Sequence, residues 1–160
     1  MLHLEEYLDS KVNKYNCPDF ITFDPISIPH KFTDKNDIEI AGLLTATIAW
    51  GNRKAILKSA NQLMIWMDDA PYDFVMNHND QDLNPFKKFV YRTFNGKDCI
   101  FFIKSLQNIY LNYNGLENIF NTGYMQKSNV MDAIIEFRKT LLQISHEKRT
   151  EKHIANPIKG

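Results

Sequence analysis

Apolar residues recur at helical spacing along almost the whole chain. Leu4, Leu8, Val12 and Tyr15 form a stripe that predicts an amphipathic first helix over 1–16. The pattern then breaks. Pro18, Pro25 and Pro29 each remove an amide donor and push the preceding residue out of the helical region, so 17–34 is predicted to be an extended, proline-rich connector. Its Phe20, Ile21, Phe23, Ile26 and Ile28 are too apolar for a free linker and predict that it lies along a groove. Thr33 or Asp34 can cap the next helix, with Asp37 and Glu39 near its positive end. Ile38 to Trp50 is apolar nearly all round, as a central buried helix should be, and Gly51 stops it. Asn52 caps the following helix. One of its faces carries Ile56, Leu57, Ala60, Leu63, Met64 and Met67, with Arg53, Lys54 and Lys58 largely opposite.

Pro71 and Pro85 open two short helices, the second with Phe86, Phe89 and Val90. Asn95-Gly96 is a turn signal. No alternating strands flank it, so it predicts a helix start rather than a hairpin. Cys99, Phe102, Ile103, Leu106, Ile109 and Tyr110 give a long stripe. Gly115 suits the left-handed position after it, and Leu116 to Phe120 follows as a short helix. Ser128 is predicted to cap a last helix carrying Val130, Ile134, Phe137, Leu141 and Ile144. The expectation is an all-α domain of about seven helices without a sheet or a repeat. Its helical core spans 35–145, and 146–160 form a basic tail.

Composition narrows this without adding chemistry. The chain has 160 residues, 44% apolar and 24% charged, which excludes a disordered or collagenous protein. Its longest apolar stretch is interrupted by Glu39, Gly42, Thr45 and Thr47, so no membrane span is expected. Met1-Leu2-His3-Leu4-Glu5-Glu6 has neither the positive nor the apolar region of a signal peptide, and a cytoplasmic location is expected. Cys17 and Cys99 belong to no CxxC pair and are read as two reduced thiols. Lys and Arg number 19, as do Asp and Glu. Residues 1–80 nonetheless hold seven bases against twelve acids, and the second half reverses the balance. Residues 138–160 hold Arg138, Lys139, Lys148, Arg149, Lys152 and Lys159 against Glu147 and Glu151. Such a cluster is either a solvated face with a mobile tail or a phosphate-binding segment.

Catalytic constellations are scarce. His146, Glu147 and His153 match no zinc spacing, and neither metal nor cofactor is expected. His30 and His78 sit beside a proline and at a helix end, where bonding to a carbonyl is the ordinary role. Asp68-Asp69 reads as a helix terminus. The junction Trp50-Gly51-Asn52-Arg53 has more to offer, because it joins a buried helix to an amphipathic one. It is either a buried Trp with a plain Asn cap, or a place where backbone amides, Arg53 and Lys54 favour a phosphate.

Six segments, in order over about 130 residues, resemble an uncharacterised bacterial family catalogued as a domain of unknown function, the DUF2400 type. They are Asp24-Pro-Ile-Ser-Ile-Pro-His30, Asp37-Ile-Glu-Ile-Ala-Gly42, Ala49-Trp-Gly-Asn-Arg53, Met67-Asp-Asp-Ala-Pro71, Tyr91-Arg-Thr-Phe-Asn95 and Lys152-His-Ile-Ala-Asn-Pro-Ile-Lys-Gly160. That family is distantly similar to the helix-hairpin-helix DNA glycosylases of the endonuclease III type. Ile38 to Leu63 resembles their buried helix, polar turn and following helix, where the turn supplies a wedge into the gap left by a flipped base. The wedge is commonly Gln, and Trp50 departs from it. The resemblance implies that this chain is the N-terminal portion of a longer protein, with the DNA-gripping hairpin and catalytic aspartate beyond it. No catalytic residue carries over. It implies DNA contact in the full-length protein through Trp50, Asn52, Arg53, Lys54, Arg149, Lys152 and Lys159. It also implies that the Leu4–Val12 stripe and the Ile38–Trp50 helix lack part of their cover, so that self-association through exposed apolar faces is expected. The alternative is a non-enzymatic helical protein-interaction module.

Overall fold

A computed structural model describes residues 3–159. Eight α-helices form among them: α1 (Leu4–Tyr15), α2 (Pro18–Phe23), α3 (Lys35–Ile48), α4 (Arg53–Trp66), α5 (Pro71–Asn77), α6 (Gly96–Tyr113), α7 (Leu116–Lys127) and α8 (Val130–Leu141). Short 3-10 turns lie at Pro25–Ser27, Pro29–Lys31, Phe86–Lys88 and Lys148–His153. The sole sheet among the described residues is a two-residue antiparallel hairpin, β1 (Val90–Tyr91) and β2 (Phe94–Asn95). The all-α expectation holds, with more helices than the seven expected.

The core forms around α3 and α6. Ile40, Ala41, Leu44 and Ile48 are at most 1% exposed, enclosed by α4, α5 and the Pro29–Lys31 turn. The inner face of α3 is therefore covered, while Ile38 near its start and Trp50 just beyond its end remain 39 and 40% exposed. Gly96–Tyr113 packs against α5, α7, α8 and the Phe86–Lys88 turn. An aromatic cluster closes the space between them, with Phe94 and Phe102 ring centroids 5.5 Å apart and Trp66 and Phe86 5.4 Å apart. Asp34 caps α3, accepting from the amides of Asn36 and Asp37, and Asn52 caps α4 through the amide of Ala55.

Several local expectations are corrected. Residues 17–34 are not extended: Pro18, Pro25 and Pro29 each occupy the first helical position, where the missing amide costs nothing. Ile28 from this region is buried in the core, while Phe23 is exposed. Val90 to Asn95 forms the small hairpin, although Gly96 does begin a helix as expected. Asn114, not Gly115, takes the left-handed helical position after α6. The helix begun at Leu116 runs on to Lys127, more than twice the predicted length. Asn129 rather than Ser128 caps α8, accepting from the amide of Asp132. Val130 lies outside the core at 64% exposure.

The supposed tail also folds. Thr150 and Ile154 are buried, and Arg138 Nη1 donates to the carbonyls of Glu151 and Ile154 at 3.1 and 2.7 Å. By contrast α1 buries none of its residues, and Leu4, Leu8 and Val12 are exposed by 70, 52 and 55%. No described helix is long and apolar enough to cross a membrane.

Candidate nucleic-acid interface

The turn between α3 and α4 is fixed by its neighbours. Ile48 ends α3, and Trp50 and Gly51 lead to the Asn52 cap. Gly51 has φ +103°, a conformation open to glycine and strained for other residues. The Tyr91 hydroxyl, from β1, donates to the Trp50 carbonyl at 2.7 Å, and the Tyr91 ring meets the Trp50 ring edge-on at 6.1 Å. Trp50 is itself 40% exposed. Over it lies the guanidinium of Arg92, 5.0 Å from the ring centre. A Cβ at Gly51 would stand 2.5 Å from Arg92 Nη2, so the glycine also makes room for that guanidinium. Arg92 has φ +53° at the hairpin tip and is exposed. Among the described residues no carboxylate pairs with it.

On its other side the hairpin is held by a buried polar node. Asp98, fully buried in the first turn of α6, accepts from the Asn95 amide at 2.9 Å and from Thr150 Oγ1 at 2.7 Å. Arg149 Nη1 donates to both Asp98 oxygens at 3.0 and 2.9 Å, and its Nη2 donates to the Thr93 carbonyl at 2.7 Å. Burial would raise the Asp98 carboxyl, but the bonds from Asn95, Thr150 and Arg149 together hold it below its ordinary value of 3.8. His153 lies 3.5 Å from Asp98 and stacks edge-on against Phe94, with Nε2 buried and unbonded. Desolvation lowers its pKa below 6.5 despite the carboxylate beside it. The hairpin thus binds the Trp50 turn through Tyr91 and Arg92 and the Lys148–His153 segment through Thr93.

This geometry sorts the sequence-derived residues. Trp50 is partly exposed rather than buried, and Asn52 is exposed while serving as the expected cap. Lys54 is exposed and has no ion pair among the described residues. Arg53 is drawn toward α2 instead: it stands 3.6 Å from Asp24 and over the Phe20 ring. Arg149 differs from the others: its guanidinium is engaged by Asp98 and Thr93, where it compensates a buried carboxylate. Lys152 and Lys159 remain exposed and flank one shallow concavity with Asn156. Arg92 was not singled out from the sequence. Its signal lay in Tyr91-Arg-Thr-Phe-Asn95, but its partner Trp50 is remote in the chain. His78 Nδ1 lies 3.0 Å from the carbonyls of Phe74 and Val75, the ordinary helix-end role expected of it. Among the described residues no cluster of three or more His, Cys, Asp or Glu could hold a metal ion.

Fold and site together define a helical protein with an aromatic and cationic turn. Residues 24–160 match the model of a family described as protein of unknown function (DUF2400), and the chain belongs to that family. No curated protein and no solved structure matches the chain.

Proposed function

We propose that this protein binds DNA, with Lys54, Lys152 and Lys159 neutralising phosphates and Trp50 and Asn52 turned toward the bases. The observation that carries this reading is the hairpin, which ties the Trp50 turn and the Lys148–His153 segment to one scaffold. Exposed cations and an accessible aromatic ring are the two parts that nucleic-acid contact needs, one for backbone charge and one for a base. The resemblance of Ile38 to Leu63 to a helix, turn and helix of the DNA glycosylases supports the same reading. No catalytic role is assigned to any residue.

Fluorescence anisotropy with labelled duplex DNA between 50 and 200 mM salt tests it. Affinity should fall steeply with salt, and the combined K54A, K152A and K159A variant should flatten the log–log slope by roughly 2 to 3 at about 0.9 per lost phosphate contact. Binding that ignores salt, or a slope unchanged in the triple variant, overturns the proposal. Arg149 is left out of the set because its removal would strand Asp98.

A second reading, a helical protein-interaction module, is favoured by the exposed α1 stripe.

A further inference from the structure

We infer that the Trp50 ring is a stacking platform for an unpaired base of single-stranded DNA, with Arg92 moving from the ring to the neighbouring phosphate. This rests on the DNA-binding reading and goes beyond it by naming the strand state and a residue not singled out from the sequence.

Three features of the turn carry it. First, the ring is held in place before any ligand arrives. The Tyr91 hydroxyl fixes the Trp50 carbonyl and the Tyr91 ring braces the indole edge, so little conformational freedom is lost on stacking. Second, what lies over the ring is a guanidinium, a planar cation that stacks on an aromatic face much as a base does. Arg92 is exposed and has no carboxylate partner among the described residues, so only its contact with the indole is given up when it swings outward. Third, Gly51 leaves the space that lets a flat group approach the ring from that side.

The strand state follows from stacking geometry. Inside a duplex each base has neighbours on both faces, and a ring cannot reach a face without prising the stack apart. An unpaired base offers a free face. A single partly exposed indole at the crest of a turn, with one mobile guanidinium beside it, matches one base and one phosphate. The exposed Lys54 is the second residue of α4, two positions after the Asn52 cap at the same junction, and can meet the next phosphate.

The test uses the intact chain titrated with oligothymidylate and, separately, with a blunt duplex of equal length. Indole emission is followed together with anisotropy. The protein has two tryptophans, and Trp66 is packed against Phe86 and Phe89, so W50F isolates the signal. Oligothymidylate should quench emission in the parent and leave W50F emission unchanged. W50F keeps a ring and should keep most of the affinity. W50A should bind the oligonucleotide on the order of tenfold more weakly. R92A, at an exposed hairpin tip, should keep the quenching and flatten the salt slope by about 0.7, the value for one contact on a single strand. Oligonucleotide binding without quenching, undiminished affinity in W50A, or an unchanged slope in R92A each overturns the inference. If the duplex binds and the single strand does not, the inference falls while the DNA-binding reading stands. If neither binds, both fall.

Discussion

Asp98 shows how one side chain decides the state of a distant segment. It is fully buried, and each of its oxygens is met by a donor from elsewhere in the chain. Removing it in D98A leaves the Arg149 guanidinium uncompensated and should cost about 3 kcal/mol in urea unfolding, the lower end for a broken buried pair because Arg149 is partly exposed. The same node sets the response to acid. The folded Asp98 has a lowered pKa, so its contribution is present above the unfolded value of 3.8 and is lost as pH falls through the folded one. His153 also has a lowered folded pKa, so the native state binds fewer protons than the unfolded chain, and stability falls as pH drops below about 6.5. Urea midpoints should therefore decline in two stages on acidification. In H153Q the first stage should shrink, and a parent-minus-variant difference that is flat with pH would refute the assignment. Little of this node was legible in the sequence. Asn95-Gly96 announced a helix start, and Asp98 lies three residues after the cap. Its partners Arg149 and Thr150 sit in a stretch whose composition reads as a solvated tail.

Among the elements, those with a local cause were the most legible. Asp34 and Asn52 announce their helices by side chains that satisfy nearby amides, and the buried face of α4 follows the 3.6-residue period. Pro18, Pro25 and Pro29 misled because proline ends one helix and begins the next with the same ring. Only the packing of Ile28 into the core settles that the chain stays compact here. The pair α7 and α8 was half read: Phe120 and Phe137, stacked at 4.9 Å, follow the apolar pattern, but a small residue also sets the contact. An ideal Cβ at Gly123 would lie 2.6 Å from the Ala133 Cα, so the two backbones meet there. G123A should push the pair apart and cost about 1–3 kcal/mol, seen as a lower Tm with helical content retained. A Tm equal to the parent's would show that the pair has slack.

For the molecule as a whole, α1 and the short α2 bury none of their residues, while each of the helices α3 to α8 contributes to the core. The α1 stripe is apolar enough to have been read correctly as amphipathic, yet Leu4, Leu8 and Val12 stay exposed and only Tyr15 at its end meets a neighbour, the Phe20 ring. Exposed faces of this kind promote association. L8E combined with V12E should leave the melting curve nearly unchanged and shift sedimentation velocity toward the monomer at high protein concentration. A concentration-independent monomer in both proteins would argue against an interaction role for this face. The pairing of Asp98 with Arg149 and Thr150 has a different bearing, on the order in which the chain becomes native. These partners are 51 and 52 residues apart. A nascent chain leaving the ribosome presents the acid long before its clamp has been synthesised. Until the closing segment arrives, the carboxylate has reason to stay in water, and the hairpin and the Trp50 turn have no fixed support. The hairpin beside the Trp50 turn is thus set only once the Lys148–His153 segment has been translated.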